Sequence, residues 1–234
     1  TMLPIAVNAQ NTDKNAEVLS KSLYDCIYEY KINTKNKTGE PVTETYNTIL
    51  QIGSSCAKFE DYTAFMSDSV LMIKDVSDAT KKEYLNKKYR ATYYFDHIIY
   101  QNYPENKTTV EGVITPNYFV YEEKLNPFQW SLSEDTATVC GYSCHKATTT
   151  YGGRNWMVWY TMDIPVSYGP WKFTGLPGLI LAAKDSEGIH SFSAISIRKS
   201  ELPIRREHNA KLIATSREKF IKANASYPVI GVNL

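Results

Sequence analysis

The sequence has no excess of either charge and no long apolar run in its body. Its 26 Lys and Arg side chains nearly cancel its 25 Asp and Glu side chains, which leaves a formal net charge of +1. Because nucleic acids and anionic membranes are bound through clusters of positive charge, this balance argues against both as partners. After the N-terminal segment, no apolar stretch approaches the ~20 residues that a membrane-spanning helix needs, so we predict no transmembrane segment.

Motifs that carry catalysis are missing as well. The sequence contains no HExxH, no GxxxxGK and no GxSxG, because Ser143 is followed by Cys144 and then by His145 where the last motif requires Gly. Cys144 and His145 are adjacent in a predicted strand and should point to opposite faces, so they cannot act together as nucleophile and base. We therefore assign no catalytic residue and lean against an enzyme.

The histidines show no metal-binding spacing. His97, His190 and His208 lie far apart in the sequence, and only folding could gather them with Asp96 or His145. Zinc sites usually combine such residues at short, regular spacings, which are absent here. We predict neither a metal site nor a cofactor.

Length and composition favour one β domain. A chain of 234 residues with 43% hydrophobic residues can bury one sizeable core. Its 18 Tyr residues favour strands, and each combines an apolar ring with a polar tip, as the walls of β proteins and binding surfaces require.

The first ten residues, TMLPIAVNAQ, are typical of the end of a signal peptide. An apolar stretch leads to Val7 and Ala9, the two positions that signal peptidase recognises. We interpret residues 1–9 as a signal-peptide remnant and 10–234 as the mature single domain, with a short N-terminal strand as the alternative. The predicted location is the periplasm or the cell surface, and no Cys follows the cleavage site to carry a lipid anchor.

Four cysteines, Cys26, Cys56, Cys140 and Cys144, fit an oxidising compartment in which disulfides persist. Three pairings are possible and the sequence cannot choose among them. We favour Cys140–Cys144, because the intervening Gly-Tyr-Ser could turn the chain, together with Cys26–Cys56. Free buried thiols are the alternative.

Short strands separated by turn residues dominate the sequence. The segment 61–90 contains ATKKEYLNKKY and favours a helix or a mobile excursion, and Thr215 with Glu218 forms a capping box that should begin a short helix. The charged run 204–208 is interpreted as a solvated connection, with a docking patch as the alternative. We expect a mainly β fold, an antiparallel sheet forming a half-barrel or a partly closed barrel or sandwich, with one or two short helices. The predicted strands are 22–32, 43–52, 91–101, 108–114, 117–123, 128–132, 144–151, 155–162, 179–183 and 190–198.

Two of these strands, 91–101 and 155–162, are largely apolar on both faces. Since strand side chains alternate between faces, each strand must be covered on both sides. A helix or loop could supply the cover, or the strands could line an apolar ligand cavity. The residues predicted to line such a cavity are Tyr93, Phe95, Trp156 and Trp159.

The stretch 141–197 resembles the GLPGLI family of exported proteins of uncertain function from Gram-negative bacteria of the Bacteroidota type. The resemblance is carried in order by GYSCHKA, RNWMVWYTMDIPVSYGPWKFTGLPGLIL and DSEGIHSF, and the six-residue signature 175–180 is complete. Cys144 falls where the family commonly has a Cys, whereas Cys140 lies outside the family pattern. The resemblance implies an exported β protein without a known activity.

The signature predicts a rigid turn that leads into a buried strand. Pro177 presets its φ angle, while Gly175 and Gly178 supply positions where φ can be positive or where another backbone can approach closely. Trp171 and Phe173 flank this corner, where they could close the mouth of a cavity or simply pack beneath the turn. The motif residues are Gly175, Leu176, Pro177, Gly178, Leu179 and Ile180.

Three classes of function remain open. We favour a non-enzymatic binding or carrier protein of the bacterial envelope, with an apolar or lipid-like ligand. An envelope protein-interaction module is the alternative, and it would show a filled core and an exposed apolar patch. A metal-dependent or hydrolytic enzyme comes third, since it would need histidines and carboxylates that converge in a cleft.

Overall fold

The computed structural model describes residues 16–36, 38–71, 76–90, 95–207 and 211–226. Within these residues the chain forms 13 strands and three helices, so the predicted mainly β fold is confirmed. The predicted signal-peptide remnant 1–9, with its cleavage site before Gln10, lies outside the described residues. The same holds for Tyr93 and His208.

The elements follow one another in a largely antiparallel arrangement. The three helices are α1 (Tyr62–Leu71), α2 (Asp78–Arg90) and α3 (Arg217–Ser226). The strands are β1 (Ala16–Lys35), β2 (Pro41–Gly53), β3 (Ala57–Asp61), β4 (His97–Gln101), β5 (Lys107–Ile114), β6 (Asn117–Lys124), β7 (Ser131–Val139), β8 (Tyr142–Tyr151), β9 (Arg154–Thr161), β10 (Leu179–Asp185), β11 (His190–Lys199), β12 (Pro203–Glu207) and β13 (Leu212–Ala214).

One sheet contains all of these strands, and it is strongly curved. Its order is β13-β6-β5-β4-β3-β2-β1-β11-β10-β9-β8-β7, with β12 paired to β1. The hydroxyl of Tyr151 on β8 donates a hydrogen bond to Glu123 on β6 over 3.2 Å. In a flat sheet the nine strand spacings between β6 and β8 would hold these strands about 43 Å apart. The sheet therefore curls until side chains near its two ends meet, as a half-barrel does.

The core lies on the inner face of this curve, which carries Tyr30, Phe59 and Trp156. Tyr30 stacks on Phe192 with ring centroids 4.5 Å apart, and Phe59 meets Phe192 edge-on at 6.0 Å. All four side chains are at most 2% exposed. Burying each large side chain contributes roughly 1.5–3 kcal/mol, so this aromatic face supplies much of the driving force for curling the sheet.

Helix α1 covers part of the outer face, and α2 packs against α1. Asp61 begins α1, because its carboxylate accepts hydrogen bonds from the backbone nitrogens of Thr63 and Ala64 at 2.7 and 3.0 Å. Phe65 of α1 is buried, and the hydroxyl of Ser67 donates to carbonyls of α1 and α2. The predicted helix in the segment 61–90 is thus confirmed, and a second helix accompanies it.

The charged run after β11 is a strand and not the solvated connection that we predicted. β12 pairs with β1. Ile204 is fully buried, and Arg206 lies over the rings of Tyr100 and Tyr103 while its Nε contacts Glu111 at 2.8 Å. Arg206 is paired with a carboxylate on another strand, so the run belongs to the folded body of the protein.

Other sequence predictions need smaller corrections. The strand predicted at 91–101 begins at His97 in the described residues, and the one predicted at 128–132 begins at Ser131 as β7. The cap of α3 is Ser216 and not Thr215, since the Ser216 hydroxyl accepts from the backbone nitrogen of Lys219 at 3.3 Å. β3, β12 and β13 were not predicted as strands.

All four cysteines carry free thiols, so neither predicted disulfide is present. Cys26 pairs with Leu50, and Cys56 lies one strand further along and beyond Gly53. The Cα atoms of Cys26 and Cys56 are therefore about 14 Å apart by strand geometry, far beyond the ~7 Å limit for a disulfide. The β7–β8 hairpin turns at Cys140 and Gly141, both with positive φ, which leaves Cys144 three residues beyond the turn and opposite Ala137.

Candidate functional site

An irregular segment, residues 163–178, lies across the inner face, and we call it the plug. Gln101 on β4 holds it by donating from Nε2 to the carbonyl oxygens of Gly169 and Trp171, at 2.9 and 2.7 Å. On the opposite side, Trp130 Nε1 donates to the carbonyl of Thr174 at 2.8 Å. The plug thus bridges two distant parts of the curved sheet.

Aromatic side chains fill the space between the plug and the sheet. Trp171 and Phe173 of the plug contact Trp156 of β9, with ring centroids 5.7 and 5.0 Å apart. Phe128 packs against Phe173 at 5.4 Å and against Tyr151 at 4.8 Å. These contacts leave Trp156, Trp171 and Phe173 at most 3% exposed, so the aromatic cluster is packed in this state.

The signature residues close the plug onto the sheet. Gly175 has a φ of +94°, and an added Cβ would collide with the side chain of Asn126. Gly178 needs no positive φ, but a Cβ there would lie 2.6 Å from the carbonyl carbon of Thr161 and even closer to its oxygen. Leu176, Leu179 and Ile180 are buried. Gly175 and Gly178 thus let the chain turn closely against its neighbours before it enters the buried strand β10.

A buried charge cluster lies where the plug meets β6 and α3. Lys172 is 3% exposed, and its Nζ contacts Glu123 at 2.7 Å and donates to the Tyr121 hydroxyl at 2.9 Å. Arg217 at the start of α3 lies 3.4 Å from the same carboxylate, and Tyr151 donates to it. Burial lowers the pKa of Lys172, an effect that the charge of Glu123 opposes. The cluster holds two cations against one carboxylate.

The residues predicted to bind a ligand do not all meet. Trp156, Trp171 and Phe173 form the cluster, and Phe95 packs nearby against Phe59, with centroids 5.2 Å apart. Trp159 pairs with Lys146 and Ala182 and lies on the other sheet face, because it is three positions after Trp156 and side chains alternate. Tyr93 lies outside the described residues. A ligand role for these residues stays a prediction.

Three of the cavities among the described residues are lined by other side chains than the predicted ligand-binding ones. A cavity of about 70 Å³ lies between α1, the sheet and β12, with Gln51, Lys58 and Phe65 in its wall. A cleft of about 410 Å³ lies beside Leu23, and one of about 530 Å³ lies beside Thr149. Ligand access to the inner face would therefore require the plug to move.

The histidines and cysteines remain dispersed. His145 lies against Tyr160, with ring centroids 5.9 Å apart, while Cys144 faces away from it in the same strand. His97 contacts Asp96 at 2.7 Å. In the described part of the chain, no group of three or more His, Cys, Asp or Glu side chains is arranged to hold a metal ion.

Sequence reasoning missed the anchors of the plug. Gln101, Glu123 and Trp130 sit at least 40 residues before the plug atoms that they contact, and nothing in their local pattern marks them. Phe128 and Trp130 did give a signal, since their alternation with exposed Pro127 and Gln129 indicates an extended segment with one buried side. The same alternation predicts the strand 128–132, whereas the chain is irregular up to Trp130 and β7 begins at Ser131.

Comparison with known proteins finds similar folds and one family match over a short stretch of sequence. Porph_ging, a protein family of unknown function, matches residues 153–182, which contain the whole signature. No curated protein matches the chain significantly. No described helix is long and apolar enough to cross a membrane.

Two crystal forms of PNGF-II share this fold. Their TM-scores are 0.57 and 0.55, at 14% and 16% sequence identity, over 86% of this chain in both cases. The alignments cover 33% and 32% of PNGF-II, so the chain spans about a third of that protein's length. A domain described as an outer membrane lipoprotein-sorting protein from Vibrio parahaemolyticus aligns over 75% of this chain and 85% of its own, at 7% identity, but its TM-score of 0.23 is too low to support an argument.

Proposed function

We propose that this chain is a binding protein of the bacterial envelope, without catalytic activity, whose inner sheet face takes an apolar, lipid-like ligand when the plug leaves it. The observation that carries the proposal is the aromatic inner face, which is covered by the irregular plug at Trp156. A displaced plug would expose Trp156 together with Phe128, since both pack against Phe173 of the plug. Such a wall matches the apolar lining of ligand pockets.

The way in which the plug is held supports reversible attachment. Its anchors include the paired hydrogen bonds of Gln101 and the buried Lys172–Glu123 ion pair. Burying charges costs free energy, and a permanent core is usually stabilised as well or better by apolar side chains in the same space. Polar anchors fix one closed arrangement, yet they can exchange their partners for water when the plug opens.

Export and a single-domain organisation are part of the same proposal. They rest on the VNA segment before Gln10, on the resemblance to the GLPGLI family and on the continuous sheet that joins β13 to β7. Native mass spectrometry of protein purified from its own envelope tests the binding function directly. A carrier should show the added mass of a bound molecule, and extraction with an organic solvent should remove it.

A plug-loosening variant makes the test sharper. Gln101→Leu removes two hydrogen bonds of about 1 kcal/mol each from the closed state. If the plug must open, the opening cost falls by about 2 kcal/mol and the affinity for oleate rises up to roughly 30-fold. Gln51→Leu is the matched control, because Gln51 is equally buried but lies in the wall of the cavity between α1 and β12.

The opposite outcome selects the other class of function. If no mass is retained natively, and Gln101→Leu binds oleate no better than Gln51→Leu, the plug is a permanent part of the core. The chain would then act as a protein-interaction module. More than half of the side-chain surface of Leu132, Met162 and Ile195 is exposed, and these residues would be the first candidates for partner contact.

A further inference from the structure

A second concave site lies at the edge of the sheet, where β7 stops pairing with β8. Ser131 and Thr148 form the last pair of these strands, whereas β8 continues to Tyr151 beside β9. The chain before Ser131 leaves the sheet, and a cleft of about 530 Å³ opens between it and the free edge of β8. This volume falls within the ~300–1,000 Å³ range of ligand sites.

The lining of this cleft is polar but uncharged. Six of its seven residues carry a hydroxyl or an amide, and none is ionisable. Hydroxyls and amides both donate and accept hydrogen bonds, whereas a charged group would select for an ion. The lining residues are Pro127, Gln129, Ser131, Thr148, Thr149, Thr150 and Asn155.

The cleft is built before any ligand arrives. Phe128 and Trp130 point inward and are fixed by Phe173 and by the Thr174 carbonyl, so Gln129 between them must face outward. On the other wall, Thr150 donates to the Asn155 side-chain oxygen at 2.8 Å, which directs the amide nitrogen of Asn155 away from that bond. Polar groups held in place bind with a smaller entropy loss.

The hydroxyls that face the cleft are those of Thr148 and Thr150. Both residues are exposed, whereas Thr149 between them pairs with Trp156 and is 7% exposed. Since strand side chains alternate between faces, Thr149 points to the inner face while Thr148 and Thr150 point away from it. Two hydroxyls on one side of the strand are therefore accessible to a ligand.

We propose that this cleft binds a neutral saccharide chain. Such a ligand presents many hydroxyls that donate and accept at once, carries no charge, and needs an open groove instead of a closed apolar pocket. The site lies at the β8 edge, outside the inner face, so it does not depend on plug opening. Its test is therefore independent of the test of the carrier function.

The test is a binding titration by NMR with the full chain and three neutral probes: maltohexaose, cellohexaose and mannohexaose. We expect at least one probe to shift the amide signals of 148–151 and 155. Gln129→Ala and Asn155→Ala should each weaken that binding about 3- to 10-fold through lost hydrogen bonds. Asn47→Ala removes an exposed strand amide far from the cleft and should change the affinity less than twofold.

Clear results would overturn the proposal. These are no shift with any neutral probe, equal losses in all three variants, or preferential binding of an oligogalacturonate or of an extended peptide along the β8 edge. Binding of the free oligosaccharide and of the same glycan on lipid vesicles with similar affinity supports recognition of the saccharide itself. Binding to the vesicles alone would contradict it.

Discussion

Replacing Gly178 by Ala should destabilise the protein strongly, although this glycine has an ordinary φ. The new Cβ would lie 2.6 Å from the carbonyl carbon of Thr161 and 3.1 Å from the Cα of Met162, and it would overlap the Thr161 oxygen. These are backbone atoms at the end of β9, so no side-chain rotation relieves the overlap. Overpacking of this kind costs roughly 1–3 kcal/mol, and the cost should fall at the upper end here because β9 and β10 are paired at this point.

Three glycines separate the causes of the loss. Gly153→Ala introduces a positive-φ strain of about 1–2 kcal/mol without a contact, since nothing lies within 4 Å of its Cβ position. Gly178→Ala introduces the contact alone. Gly175→Ala introduces both, and its contact is with the side chain of Asn126. Asn126 itself has a φ of +55°, so the effect of Gly175→Ala is compared in the parent and in an Asn126→Gly chain; the difference is the contact part, and the loss that remains is the φ strain.

Thermal unfolding followed by circular dichroism measures the effect. For a chain of this length, 3 kcal/mol corresponds to a fall in melting temperature of about 6–12 °C. A melting temperature within 1–2 °C of the parent corresponds to a loss of only about 0.5 kcal/mol. If the Gly178→Ala and Gly175→Ala variants both fall in this range, the plug does not approach β9 as closely as described. The signature would then be better explained as a recognition surface.

Three further predictions concern buried polar groups. Burial, reinforced by the charge of Arg154, lowers the pKa of His190 to about 4. Between pH 6.5 and 4 the unfolded chain therefore binds a proton that the folded chain does not bind. The free energy of unfolding, measured by urea titration, should fall by about 3 kcal/mol over this window, and His190→Gln should reduce that fall. Glu123→Gln should cost about 3–5 kcal/mol, because Lys172 keeps its buried charge without a carboxylate, and a loss below 1 kcal/mol in the same titrations would contradict the ion pair. Cys140 is exposed while the other cysteines are buried. Native protein should therefore react with one equivalent of a thiol reagent, and unfolded protein with four. Fewer than four equivalents in unfolded, unreduced protein would reveal a disulfide.

The strands could be predicted wherever their pattern is local. The strand predicted at 108–114 is observed as Lys107–Ile114, and the one at 190–198 as His190–Lys199. The first is a short segment rich in Thr, Val and Ile that ends before Thr115-Pro116, and the second alternates between buried and more exposed residues over its first six positions. β12 could not be predicted in this way. Its Arg206 is stabilised by Glu111, 95 residues away, and a charged run without its partner looks solvated.

In the candidate site, too, only the features that depend on local sequence could be predicted. The sequence indicated that Trp171 and Phe173 flank a tight corner, and it required small residues at Gly175 and Gly178. It could not indicate that this corner lies against Trp156, since their proximity depends on the curvature of the sheet. Trp159 was predicted to share a cavity with Trp156, but the two side chains lie on opposite faces of their strand and cannot line one cavity.

The signature itself is explained by packing, and this limits where ligand specificity can reside. Gly175 and Gly178 permit close approach of the chain, while Leu176, Leu179 and Ile180 are buried. Each of these five positions is therefore needed to seat the plug in its closed state, whether or not a ligand exists. Any ligand preference must come from side chains other than these five, such as the aromatic wall beneath the plug and the uncharged cleft at the β8 edge. Proteins that share the signature could consequently hold the same closed state while differing in what they bind.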